Sequence, residues 1–435
     1  MLAKYLVDEG SVAWLRRGDG MVGLGCFARV EVADPAEADA WWKGFVGALE
    51  HHSEVSGVAG SGPVAFGSFS FDPGHTSGTS RLMVPRVIIG RRDGISWLTV
   101  LGDTAGPLVE PAPLVELVET SAPPLGEPLS LVEFVETAAP RPSEPLSLVE
   151  LVETAPPPRV PRNVQVTADA ADEDRWRRRV AEAVRRIESN GLEKVVLARA
   201  VTATASEPID VRHLVSVLSE EYPSCWTFSV DGLVGASPEM LVRRERGLAT
   251  SRVLAGTIRR SGSEETDLKL ASSLARSSKN LAEHELAVAS VAEALAPLCS
   301  GMNVPESPYV LELPNVLHLA TDVTAVAHKK ASALRLAAAL HPSAAVCGTP
   351  TAVARAAIAE LEGLDRGRYS GPVGWIDTNG DGEWAIALRC GMVDATDPRR
   401  IDLFAGCGIV EGSDPDEELA ETKAKLVPML AALGL

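Results

Sequence analysis

Aromatic residues are scarce in this chain. Phe, Trp and Tyr make up only 5% of its 435 residues, against 46% apolar and 23% charged residues. That balance describes a globular protein and excludes a fibrous or wholly disordered one. Basic residues are also in deficit, with 41 Lys and Arg facing 59 Asp and Glu for a net charge of −18. Such a surface repels nucleic acid phosphates and anionic lipid, so neither is an expected partner. Nowhere is there a run of about 18 uncharged apolar residues, the length a membrane span requires. The opening Met1–Glu9 meets acid before a signal-type apolar segment can develop. A soluble, cytoplasmic protein without membrane contact is expected. Cys-x-x-Cys pairs are lacking too. Cys26, Cys225, Cys299, Cys347, Cys390 and Cys407 are scattered, with no histidine spaced to complete a zinc site, and read as reduced thiols.

The clearest internal pattern is a repeat. Leu114-Val-Glu-Leu-Val-Glu-Thr120 returns as Leu131–Thr137, with Phe at its centre, and again as Leu148–Thr154. Prolines fence each copy, so no helix can run from one into the next. Nine Glu and two Arg lie in this stretch. Residues 107–160 read as a weakly structured loop insertion without a chemical role, splitting the chain into an N-terminal part, 1–106, and a C-terminal part, 161–435.

The N-terminal part reads as β-rich. Gly23-Leu-Gly25-Cys-Phe-Ala28 imitates a dinucleotide fingerprint, but Arg29-Val-Glu-Val32 alternates like a strand where a helix should open, so that reading is discarded. Phe66–Phe71 reads as a strand, and Val87–Ile89 with Trp97–Val100 as a hairpin around Asp93-Gly94. In the C-terminal part a helix over Trp176–Ile187 precedes a strand at Lys194–Arg199, and Thr227–Ala236 folds back at Asp231-Gly232. Met240–Arg243 and Arg252–Ile258 read as further strands. Helices are expected at about 264–300, 331–340, 350–362 and 416–431. Val373–Asp377 and Trp384–Cys390 flank a turn at Asn379–Gly382, and Ile401–Ala405 adds a strand. Hairpins interspersed with helices, without regular βαβ units, indicate the α+β class.

Several residues could carry chemistry. Lys194 begins an apolar strand, where a desolvated amine becomes a usable base; taken alone, a strand-end lysine reaching solvent is the commoner case. Glu239, in Ser237-Pro-Glu-Met-Leu241, is a general acid if buried and a solubility device if exposed at a sheet edge. Glu283-His284-Glu285 could contribute to a metal site, although Asn280 and Glu283 also fit a helix capping box. Glu421 and Lys425 are spaced as an i, i+4 ion pair. Two glutamates on separate helices could share a hard cation, for which Mg²⁺ suits oxygen-only ligation. Ala405-Gly-Cys-Gly408 after a strand offers bare N–H groups to an anion, and Arg389 on a neighbouring strand could clamp it. Asp377-x-Asn379-x-Asp381-Gly382 begins like a calcium loop, but Leu388 stands where the final Glu belongs, so a hairpin turn is expected.

Taken in order, nine blocks resemble the chorismate-binding enzymes: Lys194–Arg199, Gly235–Leu241, Ala255-Gly-Thr257, Ala282-Glu-His-Glu285, His341–Pro350, Tyr369–Trp375, Ala387-Leu-Arg389, Phe404–Val410 and Glu421–Leu426. They cover about 190–430, essentially the whole C-terminal part. The resemblance implies two packed antiparallel sheets with helices outside. Within the family the chain is most similar to the isochorismate synthases, which make isochorismate for menaquinone or siderophore biosynthesis. It implies chorismate as substrate, Lys194 as the base that activates water and Glu239 as the acid that protonates the departing 4-hydroxyl. Glu283 and Glu421 would hold Mg²⁺. Tyr369, Arg389, Gly406 and Lys425, with Thr257, His341 and Ala345, would contact the substrate. Anthranilate and salicylate synthases resemble the chain as well, but tend to carry threonine where this sequence has Ala345, which favours stopping at isochorismate. A monomer is implied. A catalytically silent, partner-binding protein is the reading from another class, and intact matched positions argue against it.

Overall fold

The computed structural model describes residues 2–7, 10–76, 78–102, 133–136, 155–167, 170–189, 191–313 and 316–435. Its strands form two large sheets, one of 13 strands and one of 10. Every pairing within them is antiparallel except the parallel pair of Ile95–Gly102 with Glu133–Glu136. The chain weaves its two parts together. In the larger sheet Val12–Arg16 pairs with Trp226–Val230, and in the smaller one Val64–Ser68 pairs with Pro372–Asp377.

Eight of the twenty aromatic residues pack into one core cluster drawn from both sheets. Four of the eight tryptophans, Trp14, Trp97, Trp226 and Trp375, lie in one buried layer with Phe66 and Phe228. Trp14 stands opposite Phe228 in one sheet, and Trp375 opposite Phe66 in the other. Each large side chain so buried contributes roughly 1.5–3 kcal/mol. Helices cover the outer faces. Ala333–Leu340 and Ser278–Leu295 lie on the smaller sheet, and Val211–Glu221 and Pro415–Ala432 on the larger. The expected α+β architecture of two antiparallel sheets with helices outside is what the chain adopts.

Several elements differ from their expected bounds. The helical run expected over 264–300 is two helices, Glu264–Arg276 and Ser278–Leu295, followed by the strand Cys299–Asn303. Extended backbone at Ser277 ends the first helix, and the Ser277 hydroxyl caps the second by accepting from the Asn280 N–H at 3.3 Å. Asn280 is therefore inside the helix and does not cap it. The strand expected at Phe66–Phe71 spans Val64–Ser68, and the β-rich N-terminal part also holds the helix Pro35–Gly47, capped by Asp34. The longest missed strand is the 12-residue Val316–Ala327, which pairs along its length with Leu248–Arg259. Within the insertion, Glu133–Glu136 forms a strand between Ile95–Gly102 and Glu50–His52. The first and third repeat copies lie outside the described residues. The 377–382 segment is the expected hairpin turn: Asp377 accepts from the N–H groups of Asn379 and Asp381.

Candidate active site

Two short segments carry the chain from one sheet to the other, and they touch. Ser237 ends Leu233–Ser237 in the larger sheet, Pro238 interrupts the ladder, and Met240 starts a strand of the smaller sheet. Ala387–Arg389 makes the reverse crossing, between Gly382–Ile386 and Cys390–Val393. The single strand expected over Trp384–Cys390 is thus interrupted, and Arg389 sits between strands with a positive φ of 49°. The Ser237 hydroxyl donates to the Ile386 carbonyl at 2.6 Å, the Ile386 N–H to the Glu239 carbonyl at 3.1 Å, and the Ala236 N–H to the Arg389 carbonyl at 3.2 Å. Glu239 and Arg389 therefore occupy a stitched junction, where their own carbonyls are held by the N–H groups of Ile386 and Ala236.

Around the junction lies a cavity of about 710 Å³, its open mouth included. It is lined by Lys194, Glu239, Thr257, Ala345, Tyr369, Arg389, Gly406, Glu421 and Lys425. These residues span more than 230 positions of sequence and come from both sheets and the last helix. Lys194 is only 2% exposed, so it does not reach solvent as a strand-end lysine would. Glu239 is 5% exposed and does not stand at an open edge. Burial raises the pKa of Glu239 to about 8, opposed by the positive charges of Lys194 and Lys425 and by a backbone hydrogen bond. At neutral pH it is a protonated acid facing a cavity.

Cations and donors cover the other walls. Lys425 donates to the Gly406 carbonyl at 2.8 Å and pairs with Glu421 at 2.6 Å. Burial works against its charge, but Glu421 outweighs that and its pKa is raised. Arg389 is buried, and desolvation lowers its pKa. Tyr369 stacks on Phe404 with centroids 5.1 Å apart, and burial pushes its hydroxyl to about 12. Gly406 lies inside the strand Arg400–Ile409, opposite Ala198, and not after the strand as expected. The neighbouring Cys390–Val393 pairs this strand only as far as Leu403, so beyond that point its second edge turns to the cavity. A Cβ at Gly406 would meet the Leu197 carbonyl oxygen at 2.6 Å and the Tyr369 hydroxyl at 3.1 Å, which is why glycine is required there.

Sequence reasoning missed His318. It belongs to the unanticipated strand Val316–Ala327 and lines the same cavity. Its Nδ1 is 3.0 Å from the Thr257 hydroxyl, while Nε2 is buried without a hydrogen-bond partner. Burial, reinforced by Arg389 and Lys425, holds its pKa well below the usual value, so the ring is neutral. A bulge at Gly256, with a φ of 77°, aims Thr257 at this imidazole. The run Val316-Leu-His318-Leu-Ala320 was the available signal: a polar residue set among apolar ones.

His341 is a correction. It is absent from the cavity lining and faces Phe71, with Nε2 2.9 Å from that residue's carbonyl oxygen. Burial lowers its pKa to about 4. Glu283 lies in the helix Ser278–Leu295, but its side chain is outside the described residues. Its neighbour His284 is directed to Thr321, with Nε2 2.7 Å from that hydroxyl, and Glu285 is exposed. Among the described residues, no three His, Cys, Asp or Glu side chains cluster in a way that would hold a metal by themselves. No helix among them is long and apolar enough to cross a membrane.

Comparison with known proteins agrees with this geometry. A family model described as "Chorismate binding enzyme" matches residues 136–434. The isochorismate synthase MenF of Bacillus subtilis is 37% identical over 275 residues, covering 62% of this chain and 58% of that protein. The isochorismate synthase DhbC of Bacillus subtilis is 40% identical over 268 residues, 59% of this chain and 67% of its own. The matched region thus spans well under the full length of these relatives. Among solved structures, the putative 2,3-dihydroxybenzoate-specific isochorismate synthase of Bacillus anthracis superposes with a TM-score of 0.74 at 28% identity, covering 100% of this chain and 99% of its own. The menaquinone-specific isochorismate synthase of Escherichia coli shares the fold, with a TM-score of 0.74 at 22% identity, 100% of this chain and 91% of its own. The chain belongs to the chorismate-binding enzymes.

Proposed function

We propose that this cavity converts chorismate to isochorismate, with Lys194 as base and Glu239 as acid. The observation that carries this reading is the pairing of a buried amine and a buried, protonated carboxylic acid on one cavity. Lys194, acting as the base, takes a proton from water as its oxygen bonds to C2 of the ring. The ring double bonds shift, the C4–O bond breaks, and Glu239 gives its proton to the departing hydroxide. One water enters and one leaves, so substrate and product have the same mass. The chemistry needs an acid and a base held at different atoms of one ring, and fixed placement is itself a large part of the rate.

The substrate is a dianion inside an acidic protein, so it needs a local concentration of positive charge. Arg389 and Lys425 supply it, and the neutral His318 adds a hydrogen-bonding nitrogen beside Thr257. The donor set suits Mg²⁺. Glu421 is a hard oxygen ligand in the cavity, and burial holds the Cys407 thiol protonated, so no thiolate there favours a softer metal. Glu421, with Glu283, would hold the ion, which when bound neutralises a substrate carboxylate. Ala345 presents only a methyl group to the cavity. That supports ending at isochorismate instead of eliminating pyruvate or adding ammonia. The relatives named above point to menaquinone or siderophore biosynthesis as the setting.

The test is chromatography with mass detection of chorismate incubated with the protein and Mg²⁺, in parallel with EDTA and with ammonium. A metal-dependent product of unchanged mass is expected. Salicylate with pyruvate, or an aminated product, would move the chain to a sister activity.

A further inference from the structure

The strand that carries Lys194 lacks a neighbouring strand along the middle of one edge, between its pairing with Gly348–Thr349 at one end and with Gln165–Thr167 at the other. The short segment Gly348–Thr349 pairs only with Lys194 and Val195. The Val196 N–H still finds a carbonyl, that of Cys347 at 2.9 Å, but the next groups along the edge have no strand to bond. Two side chains take that place. Glu362 accepts from the Ala198 N–H at 2.7 Å, and Arg366 donates through Nη2 to the Val196 carbonyl at 2.7 Å. The same guanidinium donates through Nη1 to the Val346 carbonyl at 3.0 Å, binds Glu362 through Nε and Nη2, and lies 4.1 Å from the centre of the Phe71 ring. Both charged groups are nearly inaccessible, at 2% and 4% exposure.

A buried ion pair is weak evidence of added stability, because desolvation offsets its attraction. Its placement here is informative for another reason. Val196 and Val346 both line the substrate cavity, Lys194 starts the first of these segments, and Ala345 precedes Val346 in the second. One guanidinium therefore ties the wall bearing the base to the wall bearing Ala345. We propose that Glu362 and Arg366 are positioning residues, which fix the Lys194 strand against the Ala345–Val346 wall and so set where the base stands over the substrate. This inference rests on the isochorismate synthase reading.

Two variants separate positioning from mere support of the fold. Arg366→Lys keeps the buried charge beside Glu362 but cannot bridge the Val196 and Val346 carbonyls. The double variant Glu362→Met with Arg366→Met removes both charges together, a change that leaves stability roughly intact in other buried pairs. Steady-state kinetics with chorismate should show kcat down by roughly 10- to 100-fold in each folded variant, since a misplacement of about 1 Å costs on that order. KM should stay within about twofold, because Arg389 and Lys425, on other elements, bind the substrate anion. Far-UV circular dichroism and thermal melting confirm which variants fold. Wild-type kcat in either folded variant would overturn the proposal, as would a KM rise with kcat unchanged. Absence of chorismate turnover by the unmodified protein would instead overturn the functional reading beneath it.

Discussion

Glu239 and Asp377 are both buried carboxyl groups whose pKa values burial raises, to about 8 and about 7. They serve different ends because of what surrounds them. Asp377 closes the hairpin turn between Pro372–Asp377 and Gly382–Ile386, accepting from the N–H groups of Gly60, Asn379 and Asp381 at 3.1, 2.8 and 3.0 Å. Its oxygens are committed to backbone. Glu239 instead lies at the crossing between the two sheets, with the amine-bearing walls of a cavity about it. Burial and a raised pKa alone do not distinguish a catalytic acid from a structural one. The partners of the oxygens and their access to a cavity do.

The comparison can be broken most sharply at the acid and base. Glu239→Gln and Lys194→Ala should each lower kcat by about 100-fold or more with the fold retained, the usual scale of general acid or base catalysis. Near-wild-type turnover in a folded variant would remove that residue from the proposed role. The pH profile sharpens it further. A general acid must be protonated, so kcat should hold through neutral pH and fall as pH rises through about 8, by about tenfold per unit beyond. A flat profile across that range would contradict the assignment to Glu239.

Asp377→Ala should behave in the opposite way. It leaves buried N–H donors without an acceptor and should cost about 2–4 kcal/mol in chemical denaturation, while kcat per folded molecule stays within about twofold. A large loss of kcat without loss of stability would erase the distinction drawn here. The smallest effect is expected from the repeat insertion. Deleting 108–158 should leave turnover nearly unchanged, and lost activity in a folded deletion would give the repeat insertion a role it has not been assigned.

Much of this site was legible in the sequence because its residues sit in short blocks with distinctive local chemistry. Ser237-Pro-Glu239 marks a strand that cannot continue, and Ala405-Gly-Cys-Gly408 a backbone that something approaches closely. The structure brings Lys194, Glu239, Thr257, Ala345, Tyr369, Arg389, Gly406, Glu421 and Lys425 to one cavity. What was not legible depended on long-range pairing. Whether Lys194 reaches solvent is decided by strands more than 150 residues away, at Gly348–Thr349 and Arg400–Ile409. His318 was overlooked because its strand earns its place only by pairing with Leu248–Arg259. His341 lies in a block that matches the family, but nothing in that block shows that its ring turns to the Phe71 carbonyl, a contact spanning 270 residues. The break at Ser277 was hidden for a different reason: helical residues flank it on both sides, and only a backbone turn at one serine separates the two helices.

The central claim is that water adds at C2 while the original 4-hydroxyl departs, with both steps on the Lys194 and Glu239 cavity. Running the reaction in water enriched in ¹⁸O tests it directly, with mass spectrometry of chorismate and its product. The account predicts isochorismate carrying one ¹⁸O in the new hydroxyl, formed by the unmodified protein and nearly lost in Glu239→Gln. Isochorismate without the label, or labelled product formed at an undiminished rate by Glu239→Gln, would contradict it.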